Sequence, residues 1–152
     1  CIRDRKYIDC GCINAQSKTF PERLGKIHTE LCNLIELHGP QQAAIEEVFV
    51  GRNASSALKL GQARGAAMVA CLSHGLLIDE YSARQVKLAL VGTGAAAKNQ
   101  VQYMVKGLLK ISDNIAEDAA DALAVAICHA NTQAGLMRMT GGKPTGKKRL
   151  SN

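Results

Sequence analysis

The sequence predicts an α/β domain whose sheet is largely parallel or mixed. Apolar segments short enough for strands alternate along the chain with longer segments in which apolar residues recur at helical spacing. That alternation is typical of a sheet with helices packed against it. One strand segment, residues 43–50, is apolar almost throughout, as in a strand that is covered on both faces. A chain of 152 residues is long enough for one domain with a proper core.

The first part of the chain predicts a strand, a helix and a second strand. Residues 6–13 form the first strand, and a polar turn follows it. A helix is predicted for Phe20–His38, because Pro21 suits a first helical turn and an apolar stripe recurs at helical spacing. The stripe consists of Leu24, Ile27, Leu31, Leu34 and Ile35. The pair Gly39-Pro40 ends this helix, and residues 43–50 form the second strand.

The alternation continues as far as the C-terminal tail. Asn53 or Ser55 caps a long helix that runs to about His74, and Gly75 ends it. The elements predicted after it are a strand over residues 76–81 and helices over 84–90, 95–110 and 117 to about 132. Residues 141–152 are basic and contain Gly and Pro, so we expect them to be disordered. The sequence therefore predicts one domain over residues 1–140 and a basic tail.

Charge and composition restrict the partners of the protein. The formal net charge of +6 favours a polyanionic partner. Aromatic residues make up only 3% of the chain, which argues against an RNA-binding sheet that stacks bases on aromatic side chains. Neither a run of 18 apolar residues nor a charged-then-apolar leader occurs, so we expect no membrane span and no signal peptide.

The six cysteines favour a reduced, cytoplasmic protein. Cys10 and Cys12 have the wrong spacing for a zinc knuckle, and no Cys-x-x-Cys pair occurs in the sequence. Cys32, Cys71 and Cys128 lie in apolar periodic segments, where a free cysteine behaves as a small buried hydrophobe. We therefore expect neither a disulfide framework nor a zinc site.

Two aspartates stand out in the last predicted helix. Asp118 and Asp121 lie in A-E-D-A-A-D-A-L-A-V-A-I-C-H, residues 116–129, which is otherwise a good helix sequence. Asp is unfavourable in a helix interior, because its carboxylate competes with the backbone for hydrogen bonds. Attraction to the helix N-terminus explains Asp118 more easily than Asp121, whose neighbours are small and apolar. Side chains three residues apart are adjacent on a helix, so a cation held by both carboxylates is the alternative explanation.

Glu46 and Glu47 lie near the end of the buried strand. Ligands of α/β folds gather at the carboxyl ends of strands, and successive strand residues face opposite ways. Only one of the two glutamates can therefore share a site with the aspartates. A glutamate and two aspartates supply the hard oxygen ligands that suit Mg²⁺ or Mn²⁺. The residues alone leave a divalent metal site and helix-end electrostatics as alternatives.

Four segments resemble the RuvC family of Holliday junction resolvases in order and spacing. They are A-I-E-E-V-F-V-G-R-N-A-S-S-A-L-K-L-G-Q-A-R-G at 44–65, E-Y-S-A-R-Q-V-K at 80–87, G-T-G-A-A-A-K-N-Q-V-Q at 92–102 and D-A-A-D-A-L-A-V-A-I-C-H at 118–129. The resemblance implies an RNase H-like fold, in which helices flank a central mixed sheet of five strands. It implies a homodimer that resolves four-way DNA junctions by paired nicks in recombination and repair, together with the RuvA–RuvB branch-migration complex.

The resemblance also implies roles for individual residues. Glu46, Asp118 and Asp121 match three of the four carboxylates that bind Mg²⁺ in the family, with Mn²⁺ as a substitute. Phe49 matches an aromatic residue that stacks on a base near the crossover; its alternative role is that of a buried strand residue. Lys87 and Lys98 match lysines near the scissile phosphate, although a solvated surface lysine is the commoner role. Weaker candidates for phosphate contacts are Arg52, Lys59, Arg84 and Lys106.

The chain departs from the family pattern at its start. The family carries its first carboxylate in a G-I-D-P-G-like motif, which is absent here. Asp9 in Y-I-D-C-G has a sequence context similar to that motif, but residues 6–13 match the third strand of the family instead. We therefore expect the first strand and its aspartate to be missing, and this chain alone to be inactive. The alternatives are a junction endonuclease and a non-catalytic protein that binds junctions and dimerises. A small-molecule α/β enzyme is a remote third, since no cofactor loop is recognisable.

Overall fold

A computed structural model describes residues 6–48 and 53–139 of the chain. The helices are α1 (Phe20–His38), α2 (Ala54–Ser73), α3 (Ala83–Val91), α4 (Lys98–Leu109) and α5 (Glu117–Met139). The strands are β1 (Gln42–Glu46) and β2 (Leu77–Tyr81). Phe49, Arg52 and the predicted tail over residues 141–152 lie outside the described part of the chain. No helix in that part is both long enough and apolar enough to cross a membrane.

The two strands form a parallel ladder that fixes one edge of the fold. Gln42 pairs with Leu77 at one end, and Glu46 pairs with Tyr81 at the other. The Glu47 amide extends the ladder by donating to the Tyr81 carbonyl at 2.9 Å. The carboxyl ends of both strands therefore meet at the same edge, where Glu46 lies. Within the described ranges the sheet has these two strands, whereas the family resemblance implies five.

Helix ends follow local capping chemistry. The Thr19 side chain caps α1 in a capping box with Glu22, and Gly39 ends the helix at a φ of 56°. These bounds are those that the sequence predicts, because a capping box and a left-handed glycine both mark helix ends clearly. Asn53 rather than Ser55 caps α2, since its side chain accepts from the Ser56 amide.

The main core lies between β2 and the last three helices. It is made of small and medium-sized apolar side chains, among which Val105 and Cys128 are almost completely buried. Its buried members are Tyr81, Val86, Leu90, Ala96, Val101, Val105, Ala124, Val125, Ile127 and Cys128. A smaller cluster of Ile35, Cys71 and Leu76 joins α1, α2 and the start of β2. The main core thus holds α5 against the sheet.

The predicted strand over residues 6–13 is wrong for this structure. The segment has no ladder partner among the described residues, and a strand exists only through such pairing. Its contacts are with helices instead: Asp9 lies 3.6 Å from His38 of α1. Lys6, Tyr7 and Ile8 border a cavity lined also by side chains of α4 and α5.

Two helices differ from their predicted bounds. The first residue of α4 is Lys98 rather than residue 95, because Ala97 is extended, with φ −72° and ψ 154°. Lys98 is therefore the first residue of this helix. The last helix runs to Met139, beyond the predicted end near Thr132. The Thr132 hydroxyl donates to the Cys128 carbonyl at 3.0 Å, which lets this polar residue stay within the helix.

Candidate active site

Three carboxylates from two elements meet at the carboxyl edge of the sheet. Glu46 is the last residue of β1, and Asp118 and Asp121 lie near the N-terminus of α5. All three line one cavity of about 370 Å³, together with apolar side chains of the strand and the helix. Glu47 is not among the lining residues. Of the two neighbouring glutamates, Glu46 is therefore the one that shares this cavity with the aspartates.

A lysine binds the acidic end of α5. The Lys98 ammonium lies 2.9 Å from Glu117 Oε1 and 3.0 Å from Asp121 Oδ2. Hydrogen bonds to Glu117 and then to Asp121 raise the pKa of Lys98, so its positive charge is secured. The Asp121 side chain is 39% exposed at this contact. A positive charge thus lies at Asp121, on a lysine that Glu117 also binds.

The charge of Glu46 depends on its neighbours. Removal from water raises the pKa of the Glu46 carboxyl most strongly, and repulsion from Asp121 raises it further. The positive charges of Lys98 and Lys87 act in the opposite direction. On acidification Glu46 therefore takes up its proton at a higher pH than an ordinary glutamate does. Any cation held by this carboxylate is lost from that higher pH downward.

NMR titration of the Glu46 carboxyl is expected to give a midpoint above the usual glutamate value of about 4.3. Asp121→Asn should lower the midpoint, because it removes the repulsion, and Lys98→Ala should raise it, because it removes an attraction. Asp113→Asn is the matched control in the loop before α5. A Glu46 midpoint that neither Asp121→Asn nor Lys98→Ala changes would contradict this electrostatic coupling.

Two lysines border the carboxylates. Lys87 of α3 and Lys98 of α4 line a second cavity of about 180 Å³ with Glu46 and Asp121. The apolar walls of this cavity come from α3, α4 and α5. Lys87 is half-buried there, and Lys98 is exposed. Negative and positive side chains are thus adjacent at one edge of the sheet, as a site for a phosphodiester requires.

Of the weaker candidates, the described residues Arg84, Lys106 and Lys59 do not line these two cavities. Arg84 is exposed in the first turn of α3, and its side chain lies so close to Gly94 that a Cβ there would come within 2.7 Å of it. Lys106 binds Asn114 Oδ1 at 3.4 Å, and Lys59 is exposed on α2. Phe49 and Arg52 fall outside the described residues.

Two residues that the sequence did not single out support the site. Arg64 of α2 donates to the Glu46 carbonyl at 3.3 Å and pairs with Glu80 of β2. Glu117 holds Lys98. Arg64 lies within the first of the four family-like segments, which is a usable signal. Glu117 stands beside Asp118 in the first turn of α5 and has the ordinary explanation of a favourable helix-end charge.

The donor atoms fit a divalent cation in type and charge. Glu46, Asp118 and Asp121 supply carboxylate oxygens, which Mg²⁺ and Mn²⁺ prefer, and the ammonium at Asp121 marks a place where positive charge is stabilised. Within the described ranges, however, no three His, Cys, Asp or Glu side chains converge closely enough to form a ready-made metal cage. The three carboxylates therefore suit a divalent cation by the type of their donor atoms and by the cavity that they share.

Comparison with known proteins identifies the relatives of the chain. A family model described as Crossover junction endodeoxyribonuclease RuvC matches residues 2–129. The protein of that name from Marinobacter nauticus is 54% identical over 140 residues, which are 91% of this chain and 80% of the relative. The one from Geobacter sp. is 55% identical over 137 residues, which are 90% of this chain and 83% of the relative.

Two solved structures share the architecture. The RuvC structure from Thermus thermophilus has a TM-score of 0.72 and 37% identity, over 85% of this chain and 77% of that one. RuvC from T. thermophilus in complex with a Holliday junction substrate has a TM-score of 0.74 and the same identity, over 85% and 78% of the two chains. This likeness confirms the α/β, RNase H-like fold that the resemblance implied.

Proposed function

Because the chain belongs to the RuvC family of crossover junction endodeoxyribonucleases, we propose that it is a structure-selective endonuclease. Its substrate is the four-way, or Holliday, DNA junction, which it resolves by metal-dependent hydrolysis of phosphodiesters in recombination and repair. The observation that carries the proposal is the cavity shared by Glu46, Asp118 and Asp121, with Lys87 and Lys98 beside it. The non-catalytic alternative does not account for this adjacency of three carboxylates and two lysines.

Glu46, Asp118 and Asp121 would hold the divalent ion, for which we propose Mg²⁺ with Mn²⁺ as a substitute. Such an ion supplies a water that is nucleophilic at neutral pH and shields the charge of the phosphate. The strand fixes Glu46 through its ladder and through the bond from Arg64 to its carbonyl. The helix presents the two aspartates from its first turns, where the macrodipole favours negative charge. The protein thereby orients its carboxylate oxygens before DNA arrives.

The lysines act on the DNA phosphate. Lys98 is exposed and lies at the start of α4, so its ammonium can leave Glu117 for a phosphate oxygen without unfolding any element. A cation beside the reacting phosphate matters most as negative charge grows in the transition state. Lys87, which lines the same cavity, adds a second positive charge. Both lysines therefore attract the charged phosphate of DNA rather than its neutral groups.

Cleavage of a synthetic four-way junction is the test of this function. We expect the full-length protein to cut the junction in the presence of Mg²⁺ and to leave a linear duplex of the same sequence intact. Tight junction binding without cutting at any Mg²⁺ or Mn²⁺ concentration would favour the non-catalytic alternative. Equal cutting of junction and duplex would contradict the structural selectivity.

We propose a homodimer, since two symmetric nicks need two sites. Three exposed apolar side chains on one face of α2, those of Leu58, Val69 and Leu72, support a protein contact there. Cooperation with the RuvA–RuvB complex is proposed from the family alone. A cytoplasmic location is supported by the described cysteines, all of which are free thiols.

Phe49→Ala is expected to weaken junction binding by the loss of base stacking, which is about 1–3 kcal/mol. Binding to a linear duplex should change much less, because stacking requires the open bases of the crossover. Titrations of both DNAs by fluorescence anisotropy measure the two losses. Equal losses on both substrates would instead make Phe49 a packing residue of the strand region.

A further inference from the structure

A buried histidine joins the acidic helix to both strands. His129 of α5 is only 9% exposed, and its imidazole contacts residues of both strands. Its Nδ1 lies 3.0 Å from the Tyr81 hydroxyl, and its Nε2 lies 3.0 Å from Gln42 Oε1. Asp79 of β2 is near, with Oδ2 at 3.7 Å from Nδ1. One side chain of α5 is thus bonded to β1 and β2 at once.

The chemistry of these bonds is directional. An amide oxygen only accepts, so Nε2 of His129 is the donor to Gln42. In the neutral ring Nδ1 then accepts from the Tyr81 hydroxyl. Burial raises the pKa of Tyr81, which keeps that hydroxyl protonated and able to donate. The two rings also meet edge to face, with centroids 5.9 Å apart and planes at 66°. Each ring nitrogen therefore has its own partner.

The hydrogen bonds of His129 lie at a fixed distance from the carboxylates of Glu46 and Asp121. Gln42 and Glu46 are on the same face of β1, because side chains alternate along a strand. They are four residues apart, which is about 13 Å of strand. His129 and Asp121 are eight residues apart on α5, which is about 12 Å of helix. The strand length between Gln42 and Glu46 thus agrees with the helix length between His129 and Asp121. The hydrogen bond from His129 to Gln42 at one end of this contact therefore places Glu46 opposite Asp121 at its other end.

The contact between these two ends does little to prevent sliding. On α5 it includes Ala124 and Val125 of the main core, against which Ala44 of β1 packs. A surface of such low relief resists slippage weakly, whereas bonds of fixed length admit one arrangement. A slip of one residue would move Asp121 by about 1.5 Å along the helix axis. Misplacement by about 1 Å can already cost about a hundredfold in rate.

We infer that His129, with Tyr81 and Gln42, is a positioning device that fixes the register of α5 against the sheet and thereby the spacing of Glu46 and Asp121. This inference rests on the proposed nuclease function. His129 does not reach the reacting groups and acts only through the helix that carries the aspartates. The cluster is therefore a second determinant of the site, and its histidine lies eight residues along α5 from Asp121.

Binding of Mn²⁺ alone, measured by calorimetry, is the direct test. Tyr81→Phe and Gln42→Leu each remove one bond with little change of shape. We expect each to weaken Mn²⁺ binding by about tenfold, which is the lower end of the effect of residues that orient metal ligands. Turnover of a four-way junction should fall by a similar factor, while KM for the junction stays unchanged. His129→Gln, which retains a donor, should keep more Mn²⁺ affinity than His129→Leu.

Asn131→Ala is the matched control, because the Asn131 side chain bonds α5 to the Ala89 carbonyl of α3. It should lower the melting temperature without affecting Mn²⁺ affinity. The inference is overturned if Tyr81→Phe and Gln42→Leu lower the melting temperature but leave Mn²⁺ affinity and turnover per folded molecule unchanged. In that case a wild-type protein that binds Mn²⁺ and cuts junctions still supports the proposed function. A wild-type protein that does neither overturns both.

Discussion

Asp121→Asn is expected to reduce junction cleavage by more than about a hundredfold. Loss of a residue that merely orients a metal ligand already costs about 10- to 100-fold, and Asp121 is proposed as a ligand itself. Glu46→Gln and Asp118→Asn are expected to act in the same way. Junction binding should stay intact or tighten, because each change removes negative charge near the phosphate. Single-turnover cleavage and anisotropy titrations measure the two properties separately.

Glu47→Gln is the control for the strand, since Glu47 follows Glu46 but does not line the carboxylate cavity. It should cleave like the wild type. Normal cleavage by Glu46→Gln together with loss in Glu47→Gln would mean that the site uses the other face of the strand. Circular dichroism of each variant separates a chemical defect from unfolding.

Lys98→Ala is also expected to have a large effect, a fall of about 100- to 1,000-fold in the rate of cleavage, as for loss of one group that stabilises transition-state charge. Its junction affinity should change only slightly, because one exposed lysine among many basic residues contributes little to binding. The effect should therefore appear in kcat rather than in KM. Measurement of cleavage rates over a range of enzyme concentrations resolves the two.

Two further variants make this prediction specific. Lys106→Ala removes a half-buried lysine of the same helix that binds Asn114 rather than the carboxylates, and it should cleave normally. Glu117→Gln weakens the hold on Lys98 without removing the lysine, so its cleavage rate should stay within a few-fold of the wild type. A Lys98→Ala variant whose KM rises while its kcat is unchanged would instead show that Lys98 is an ordinary DNA-binding lysine.

Local signals predicted most of the elements. The bounds of α1 follow from a capping box and a terminal glycine, both of which depend only on neighbouring residues. The nearly continuous apolar run over residues 43–50 predicted a covered strand, whereas β1 spans Gln42–Glu46 and its residues are half-buried or exposed. Alternation of faces required that Glu46 and Glu47 differ in role. Asp118 and Asp121 were conspicuous because aspartate is costly inside a helix. These residues could be identified because each broke or followed a local rule.

Contacts between distant segments could not be predicted in the same way. Residues 6–13 have the composition of a strand, but strand formation depends on a ladder partner that composition does not specify. Arg64 binds the Glu46 carbonyl across 18 positions, and His129 binds Gln42 across 87. The buried position of His129 is that of a packing residue. Its bonds to both strands had no signal in the sequence.

The central claim is that the carboxylates of β1 and α5 make this protein a metal-dependent junction nuclease. Mapping of the cuts that the full-length protein makes in a synthetic four-way junction, with and without Mg²⁺, tests that claim most directly. We predict two symmetric nicks across the crossover that require the divalent ion and disappear in Asp121→Asn. Cuts of the same number and position in Asp121→Asn, or junction binding without any cuts in the wild type, would contradict it.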